Sequence, residues 1–100
     1  MYDWKYEVYA SIMNHRIYVA HDGTSFVRYG YAKHRDGTDV WFDSYEECKQ
    51  DIIELEKEKV QKNKKLKETL QRIQNKDVNW SEVDNKIVKK YCGYIKYLID

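Results

Sequence analysis

The stretch VWFDSYEEC, from Val40 to Cys48, contains the point at which the chain changes from strand to helix. Before it, apolar and polar residues alternate with a period of two, which is typical of half-buried strands. After Asp43, apolar residues recur at helical spacing. Ser44 and Glu47 match a capping box, in which each side chain accepts a hydrogen bond from the other residue's backbone N–H. The sequence therefore predicts an α+β chain with strands first and helices afterwards.

Four strands are predicted in residues 1–43, because turn signals divide that region three times. The predicted strands are residues 4–12, 16–21, 24–33 and 40–42. The predicted turns are Asn14-His15, Asp22-Gly23 and Asp36-Gly37. Glycine tolerates the positive φ that tight hairpin turns require, and asparagine accepts it better than most residues do. Short turns between consecutive strands predict a four-stranded antiparallel meander.

Two antiparallel helices are predicted to follow the sheet and to form a hairpin (ββββαα). The first covers residues 44–76. Unbroken, it would be about 48 Å long, whereas a compact domain of this size has a radius of gyration of only about 13 Å. The helix therefore either protrudes from the domain or breaks near residues 61–65, where no apolar residue occurs. The second covers residues 81–99. We expect a single domain over residues 1–100, and dimerisation through the hairpin is an open alternative.

The turns also predict which residues share a face of the sheet. Closure at the two Asp-Gly pairs would place Val19 opposite Phe26 and Ala32 opposite Trp41. The predicted core face is Trp4, Tyr6, Val8, Ala10, Ile12, Ile17, Val19, Phe26, Ala32 and Trp41. The opposite face would be rich in tyrosine with basic edges, and exposed aromatic patches on small proteins usually mark a partner. Its predicted partner-binding residues are Tyr9, Arg16, Tyr18, Tyr29, Tyr31 and Lys33. Two alternatives are a bulge at Gly30, which would scatter this cluster, and a helix covering it.

A lysine-rich segment in the first predicted helix offers a second candidate surface. It contains Lys59, Lys62, Lys64, Lys65 and Lys67. Basic residues late in a helix complement the helix dipole, so a solvated face is one interpretation. A stripe that tracks nucleic-acid phosphates is the other.

No residue pattern predicts catalysis, a metal site or a cofactor. The three histidines lie at or beside predicted turns, and the four glycines are too dispersed for a phosphate-binding loop. Neither Cys48 nor Cys92 has a histidine at zinc-ligand spacing. We expect two free thiols, a reducing cytoplasm and a chain that is not an enzyme. No apolar run is long enough to cross a membrane.

Charge balance favours a protein partner over nucleic acid. The whole chain has a net charge of +1, and residues 1–43 contain five basic and six acidic side chains. A nucleic-acid-binding sheet would carry excess positive charge. Small proline-free chains rich in Lys, Tyr, Asn and Ile are also typical of phages and mobile elements. The sequence thus favours an inhibitor that occupies a host factor's surface, as anti-CRISPR and other anti-defence proteins do.

The stretch from Val40 to Cys48 also resembles part of the three-stranded DNA-binding domains at the N-termini of tyrosine recombinases. Those domains often end their last strand with an aromatic residue, a Thr or Ser cap and a Glu-Ala pair. Here Cys48 stands in place of the alanine, the sheet has an extra strand and its surface is not basic. The resemblance implies an alternative function, a DNA-binding accessory protein that uses its sheet face or the lysine stripe.

Overall fold

A computed structural model describes residues 5–23 and 26–99 of the chain. The elements are β1 (Lys5–Ile12), β2 (His15–His21), β3 (Val27–Ala32), β4 (Asp39–Phe42), α1 (Tyr45–Lys62), α2 (Lys64–Gln74), α3 (Asn85–Tyr91) and α4 (Ile95–Leu98). The strands form one sheet in the order β1-β2-β3-β4, and every neighbouring pair is antiparallel. The predicted α+β fold with an antiparallel meander is confirmed. Trp4, a predicted core residue, lies outside the described residues.

The chain forms two compact units, and the boundary between them falls within α1. The first unit ends at Ile52 and contains the sheet with the first two turns of that helix. The second unit begins at Ile53 and contains the rest of α1 with α2, α3 and α4. The expectation of a single domain stays a prediction.

The β1–β2 hairpin turns one residue earlier than predicted. Ile12 pairs with His15, so the turn residues are Met13 and Asn14 rather than Asn14 and His15. Both have positive φ, 48° and 66°. Two consecutive positive φ values are typical of a type I′ turn, whose twist matches that of the flanking strands.

The β2–β3 connection is longer than the predicted two-residue turn, and this changes the core. His21 pairs with Val27, so Val19 lies opposite Tyr29 instead of Phe26. Thr24 and Ser25, the predicted start of the third strand, lie outside the described residues. The register is thus displaced by three residues. Because side chains alternate between faces with a period of two, an odd displacement moves β3 side chains to the opposite face.

An irregularity in β1 has a similar effect on its N-terminal half. The β1–β2 register shifts between Val8 and Ala10, which leaves Tyr9 as the extra residue of a bulge. Tyr6 and Val8 therefore lie on the opposite face from Ile12. The alternative of a bulge at Gly30 does not apply, because Gly30 pairs regularly with Tyr18 and Trp41.

These differences correct the predicted core. Ile12 and Ile17 are buried as expected, but Tyr6, Val8 and Phe26 are 60%, 59% and 46% exposed. Ala32 is exposed too, and its partner in β4 is Asp39 rather than Trp41. The large side chains that do fill the core of the first unit are Ile12, Met13, Ile17, Tyr31, Cys48 and Ile52.

The first turns of α1 cover one face of the sheet, which we call the covered face. The helix begins with the predicted capping box: Ser44 N donates to Glu47 Oε2 at 3.2 Å, and Glu47 N donates to Ser44 Oγ at 3.3 Å. The Tyr31 hydroxyl, in β3, donates to Asp51 Oδ2 in α1 at 2.5 Å. Lys33 Nζ lies 3.1 Å from the same carboxylate oxygen. These contacts attach α1 to the sheet.

In the second unit, four helical segments replace the two predicted helices. The first helix breaks at Asn63, within the predicted 61–65 region, and the Asn63 side chain accepts a hydrogen bond from Leu66 N at 3.2 Å. The C-terminal helix begins after Asp84 instead of at Ser81, because Asp84 caps α3 by accepting from Lys86 N. It is then interrupted near Gly93, whose φ is +83°.

Candidate functional site

The face of the sheet opposite α1 is the candidate site, and we call it the open face. Strand pairing places Tyr6, Ala20 and Arg28 in one row across it. Val8, Tyr18, Gly30 and Trp41 form the next row, and Ala32 with Asp39 extends the face further. In the described part of the first unit, the only helical turns pack on the other face.

An aromatic pair dominates the open face. The rings of Tyr6 and Trp41 have centroids 5.8 Å apart and are tilted by 48°. Trp41 is half-buried, whereas Tyr6 is exposed. The tryptophan ring lies directly over Gly30: a Cβ on Gly30 would be 2.5 Å from Trp41 Cε3. Glycine in a strand interior often marks such a close approach, so the absence of a Cβ at Gly30 leaves the ring the space it occupies.

Two depressions flank this aromatic pair, and both use its rings as walls. The smaller has a volume of about 150 Å³ and is lined by Tyr6, Ala20, Arg28 and Trp41. The larger, about 380 Å³, adds Tyr18, Ala32 and Asp39 to the two aromatic residues. Each depression therefore combines apolar walls with one charged side chain, and each has room for a side chain of a bound molecule.

Charges on the open face are few and mixed in sign. Arg28 Nε lies 3.9 Å from Asp43 Oδ1, with the two side chains 46% and 82% exposed. The same guanidinium lies over the Phe26 ring, 5.3 Å from its centroid. Arg16 pairs with Ser11 at the β1–β2 end of this face, and Asp39 lies at the β4 edge. Two arginines thus offset two aspartates.

The residues predicted as one binding face are divided between the two faces. Tyr18 and Arg16 lie on the open face. Tyr31 is buried, at 1% exposure, and bonded to Asp51, whose carboxylate also pairs with Lys33. The predicted exposure of Tyr31 is therefore wrong, because the displaced β2–β3 register turns its side chain toward α1.

Tyr9 and Tyr29 also belong to the covered side. Their rings are 5.1 Å apart in an edge-to-face arrangement. Tyr45, at the start of α1, contacts both, with centroid distances of 5.1 Å to Tyr9 and 6.2 Å to Tyr29. Such tilted aromatic contacts stabilise packing. These tyrosines therefore hold the helix start against the sheet, and partner contact by any of them stays a prediction.

The lysine-rich segment is divided between two helices. Asn63 separates Lys59 and Lys62, in α1, from the three lysines of α2. Lys62 Nζ lies 2.8 Å from Glu58 Oε1, and Lys59 Nζ lies 3.6 Å from Glu56 Oε1. In α2, Lys67 Nζ donates to Gln61 Oε1 at 2.7 Å, while Lys64 and Lys65 are exposed. Acidic neighbours lower the attraction of such lysines for phosphates, so phosphate tracking gains no support here and stays a prediction.

The remaining cluster of titratable side chains lies in the second unit, around a buried carboxylate. Glu56 is fully buried and accepts a hydrogen bond from the Tyr91 hydroxyl at 3.2 Å. Lys90 Nζ and Lys59 Nζ lie 3.4 Å and 3.6 Å from its two oxygens. Burial, followed by the charge of Glu56, raises the pKa of Tyr91 to about 12. Because the carboxylate is enclosed, the cluster serves to join α1 to α3 within this unit.

The two cysteines are free thiols in different surroundings. Cys48 is buried and Cys92 is exposed. Burial, followed by the charge of Asp51, raises the pKa of the Cys48 thiol to about 11. Since the thiolate is the reactive form, Cys48 is a packing residue.

The key residues of the open face, Tyr6, Gly30 and Trp41, are absent from the predicted site. A glycine inside an otherwise aromatic strand was the available signal, since it indicates a ring or backbone close by. Among the residues that the structure describes, no cluster of three or more potential metal ligands occurs, and no helix could cross a membrane.

No protein-family model, curated protein sequence or solved structure matches this chain.

Proposed function

We propose that this chain is a non-catalytic binding protein whose open face occupies the surface of a protein partner. One observation carries the proposal: the Tyr6–Trp41 pair stands above Gly30 on the face of the sheet opposite α1. The function is thus assigned to Tyr6, Trp41 and their neighbours rather than to the tyrosines of the covered face.

The exposed apolar surface is the first support. A solvated sheet face normally carries polar side chains at alternate positions. On this face β1 instead presents Tyr6 and Val8, which are 60% and 59% exposed. Contiguous aromatic surface is enriched at interaction sites, and Trp, Tyr and Arg are the residues that most often dominate binding energy.

Charge is the second support, and it favours protein over nucleic acid. Arg16 and Arg28 are offset on this face by Asp39 and Asp43, so it lacks the excess positive charge that phosphates require. Aromatic rings also stack on unpaired bases. Nucleic-acid binding is therefore the competing outcome of the experiment below.

The finer part of the proposal concerns the consequence of binding. A small chain that covers a surface its partner needs would inhibit that partner. The composition described above supports a phage or mobile-element inhibitor of a host defence or nucleic-acid-processing factor, similar in strategy to an anti-CRISPR protein. The DNA-binding accessory function implied by the recombinase resemblance is the alternative.

The test compares two open-face variants with an exposed aromatic control. Tyr6→Ala and Trp41→Ala remove the pair, whereas Tyr97→Ala removes a 47% exposed ring from the second unit. The partner is identified by affinity capture and mass spectrometry after nuclease treatment, and its affinity for each variant is measured by calorimetry. We expect Tyr6→Ala to weaken binding by about 2 kcal/mol, roughly thirtyfold, and Tyr97→Ala to leave it unchanged.

Folding is checked in parallel, because a lost fold would also lose the partner. Tyr6 is the decisive position, since an exposed side chain contributes little to stability and its variant should unfold at the same temperature as the original chain. Equal capture of a partner by all variants would contradict the proposal. A parallel capture without nuclease treatment tests the DNA-binding alternative, which recovery of DNA that decreases steeply with salt and requires Trp41 would favour.

A further inference from the structure

The two depressions beside the Tyr6–Trp41 pair carry opposite charges. Arg28 lines the smaller one and Asp39 lines the larger one, while the two aromatic rings are common to both. The open face is therefore neutral in sum, with the Arg28 depression on one side of the aromatic pair and the Asp39 depression on the other.

Strand pairing gives the spacing of these charges. Arg28 lies in the row with Ala20, Gly30 in the next row with Trp41, and Asp39 pairs with Ala32 in the row beyond. Rows on one face are two residues apart, and a strand rises about 3.4 Å per residue. The rows of Arg28 and Asp39 are consequently about 14 Å apart along the strands, with the row of Trp41 between them.

We propose that the open face selects a protein segment that presents an apolar side chain between an acidic and a basic one. The acidic group pairs with Arg28, the apolar side chain packs against the Tyr6–Trp41 pair, and the basic group pairs with Asp39. In an extended segment these are positions i, i+2 and i+4, because four residues span about 14 Å. This inference rests on the proposed function and names the chemistry of the partner.

The existing contacts of Arg28 leave it available to such a partner. Its approach to Asp43 is long, at 3.9 Å, and Asp43 is 82% exposed. Exposed ion pairs of this kind contribute little to stability, so exchange of Asp43 for a partner carboxylate costs little. Packing on the Phe26 ring holds the guanidinium at the end of the face.

A displayed library of random 12-residue peptides is the probe. Selection on the intact chain should enrich peptides with an acidic, an apolar and a basic residue at alternate positions, and Trp41→Ala should abolish the enrichment. A synthetic peptide with the enriched sequence should bind Arg28→Glu about three- to tenfold more weakly, since a favourable pair becomes a repulsive one. A peptide with lysine in place of its acidic residue should reverse this preference. Asp39→Lys should likewise bind the enriched peptide more weakly. A peptide with an acidic residue in place of its basic one should reverse this preference.

Arg35→Glu is the matched control, because it changes the net charge of the chain equally, and Arg35, in the connection between β3 and β4, lines neither depression. It should change the selected sequence little. Two results would overturn the inference. One is that the same sequences are enriched when the charge of Arg28 or Asp39 is reversed, and the other is that no enrichment depends on Trp41. A natural partner that still requires Tyr6 would in that case leave the proposed function intact.

Discussion

Replacing Gly30 by alanine tests the geometry on which the open face depends. In a strand with open space beside it, this change should stabilise the protein by about 0.4–1 kcal/mol, because alanine loses less backbone freedom on folding. Here the new Cβ would lie 2.5 Å from both Trp41 Cε3 and the Val40 carbonyl oxygen. Carbon atoms normally approach to about 3.5–4.0 Å. A destabilising sign would therefore report that β4 approaches this residue closely, and a stabilising sign would exclude both contacts.

We expect Gly30→Ala to destabilise the protein by about 2 kcal/mol, within the range of roughly 1–3 kcal/mol for overpacked sites. For a chain of this length that corresponds to a fall in Tm of about 8–16 °C. Thermal unfolding followed by circular dichroism measures it. The Trp41 ring could move to another rotamer, but the Val40 carbonyl belongs to the backbone and cannot move in this way. A change of rotamer would therefore remove only part of the destabilisation.

The double variant Gly30→Ala/Trp41→Ala separates the two contacts. With the ring removed, only the clash with the Val40 carbonyl remains, so the cost of the alanine at position 30 should decrease. A coupling of about 0.5 kcal/mol or more is expected for residues in direct contact. An unchanged or raised Tm for the single variant, or strict additivity in the double one, would refute this placement of Trp41.

Three further predictions concern the interior. Tyr31→Phe should lower the free energy of unfolding by about 1.5–3 kcal/mol in urea titrations, because it removes a hydrogen bond to the carboxylate of Asp51; an unaltered midpoint would mean that this bond is not made. In the native protein at pH 8, only the thiol of Cys92 should react with Ellman's reagent, because burial raises the pKa of Cys48 to about 11. The thiol of Cys48 should react once urea unfolds the chain. Equal reaction rates of the two thiols in the native protein would contradict the burial of Cys48. The pKa of Tyr91, raised from 10 to about 12, predicts that its neutral form stabilises the fold fully below pH 10 and that this contribution is lost between pH 10 and 12. The stability difference between the original chain and Tyr91→Phe should therefore shrink over that interval in pH-dependent unfolding, and a constant difference would argue against the shift.

Local signals in the sequence were sufficient for the class of fold. The change of period at Asp43 and the Ser44–Glu47 capping box depend only on residues a few positions apart, and both are present in the structure. The break near Asn63 was predictable for the same reason, because apolar residues lapse there and asparagine can cap the next helix.

The candidate site could not be read from the same signals, because it depends on which face of the sheet each strand presents. That choice changes completely with any odd displacement of register. The Asp22-Gly23 pair predicted a two-residue turn, but His21 pairs with Val27, and the three-residue displacement moved Tyr31 into the core. The bulge beside Tyr9 brought Tyr6 to the open face.

The sequence by itself thus determined the order and type of the elements, the antiparallel meander and the start of α1. Tertiary structure alone decided that Trp41 lies on Gly30 beside Tyr6, and that Arg28 and Asp39 lie on either side. The physical reason is that helix starts and periodicity are encoded by neighbouring residues. The register between strands is set by how helix and sheet bury the most apolar surface together, and that depends on every strand at once.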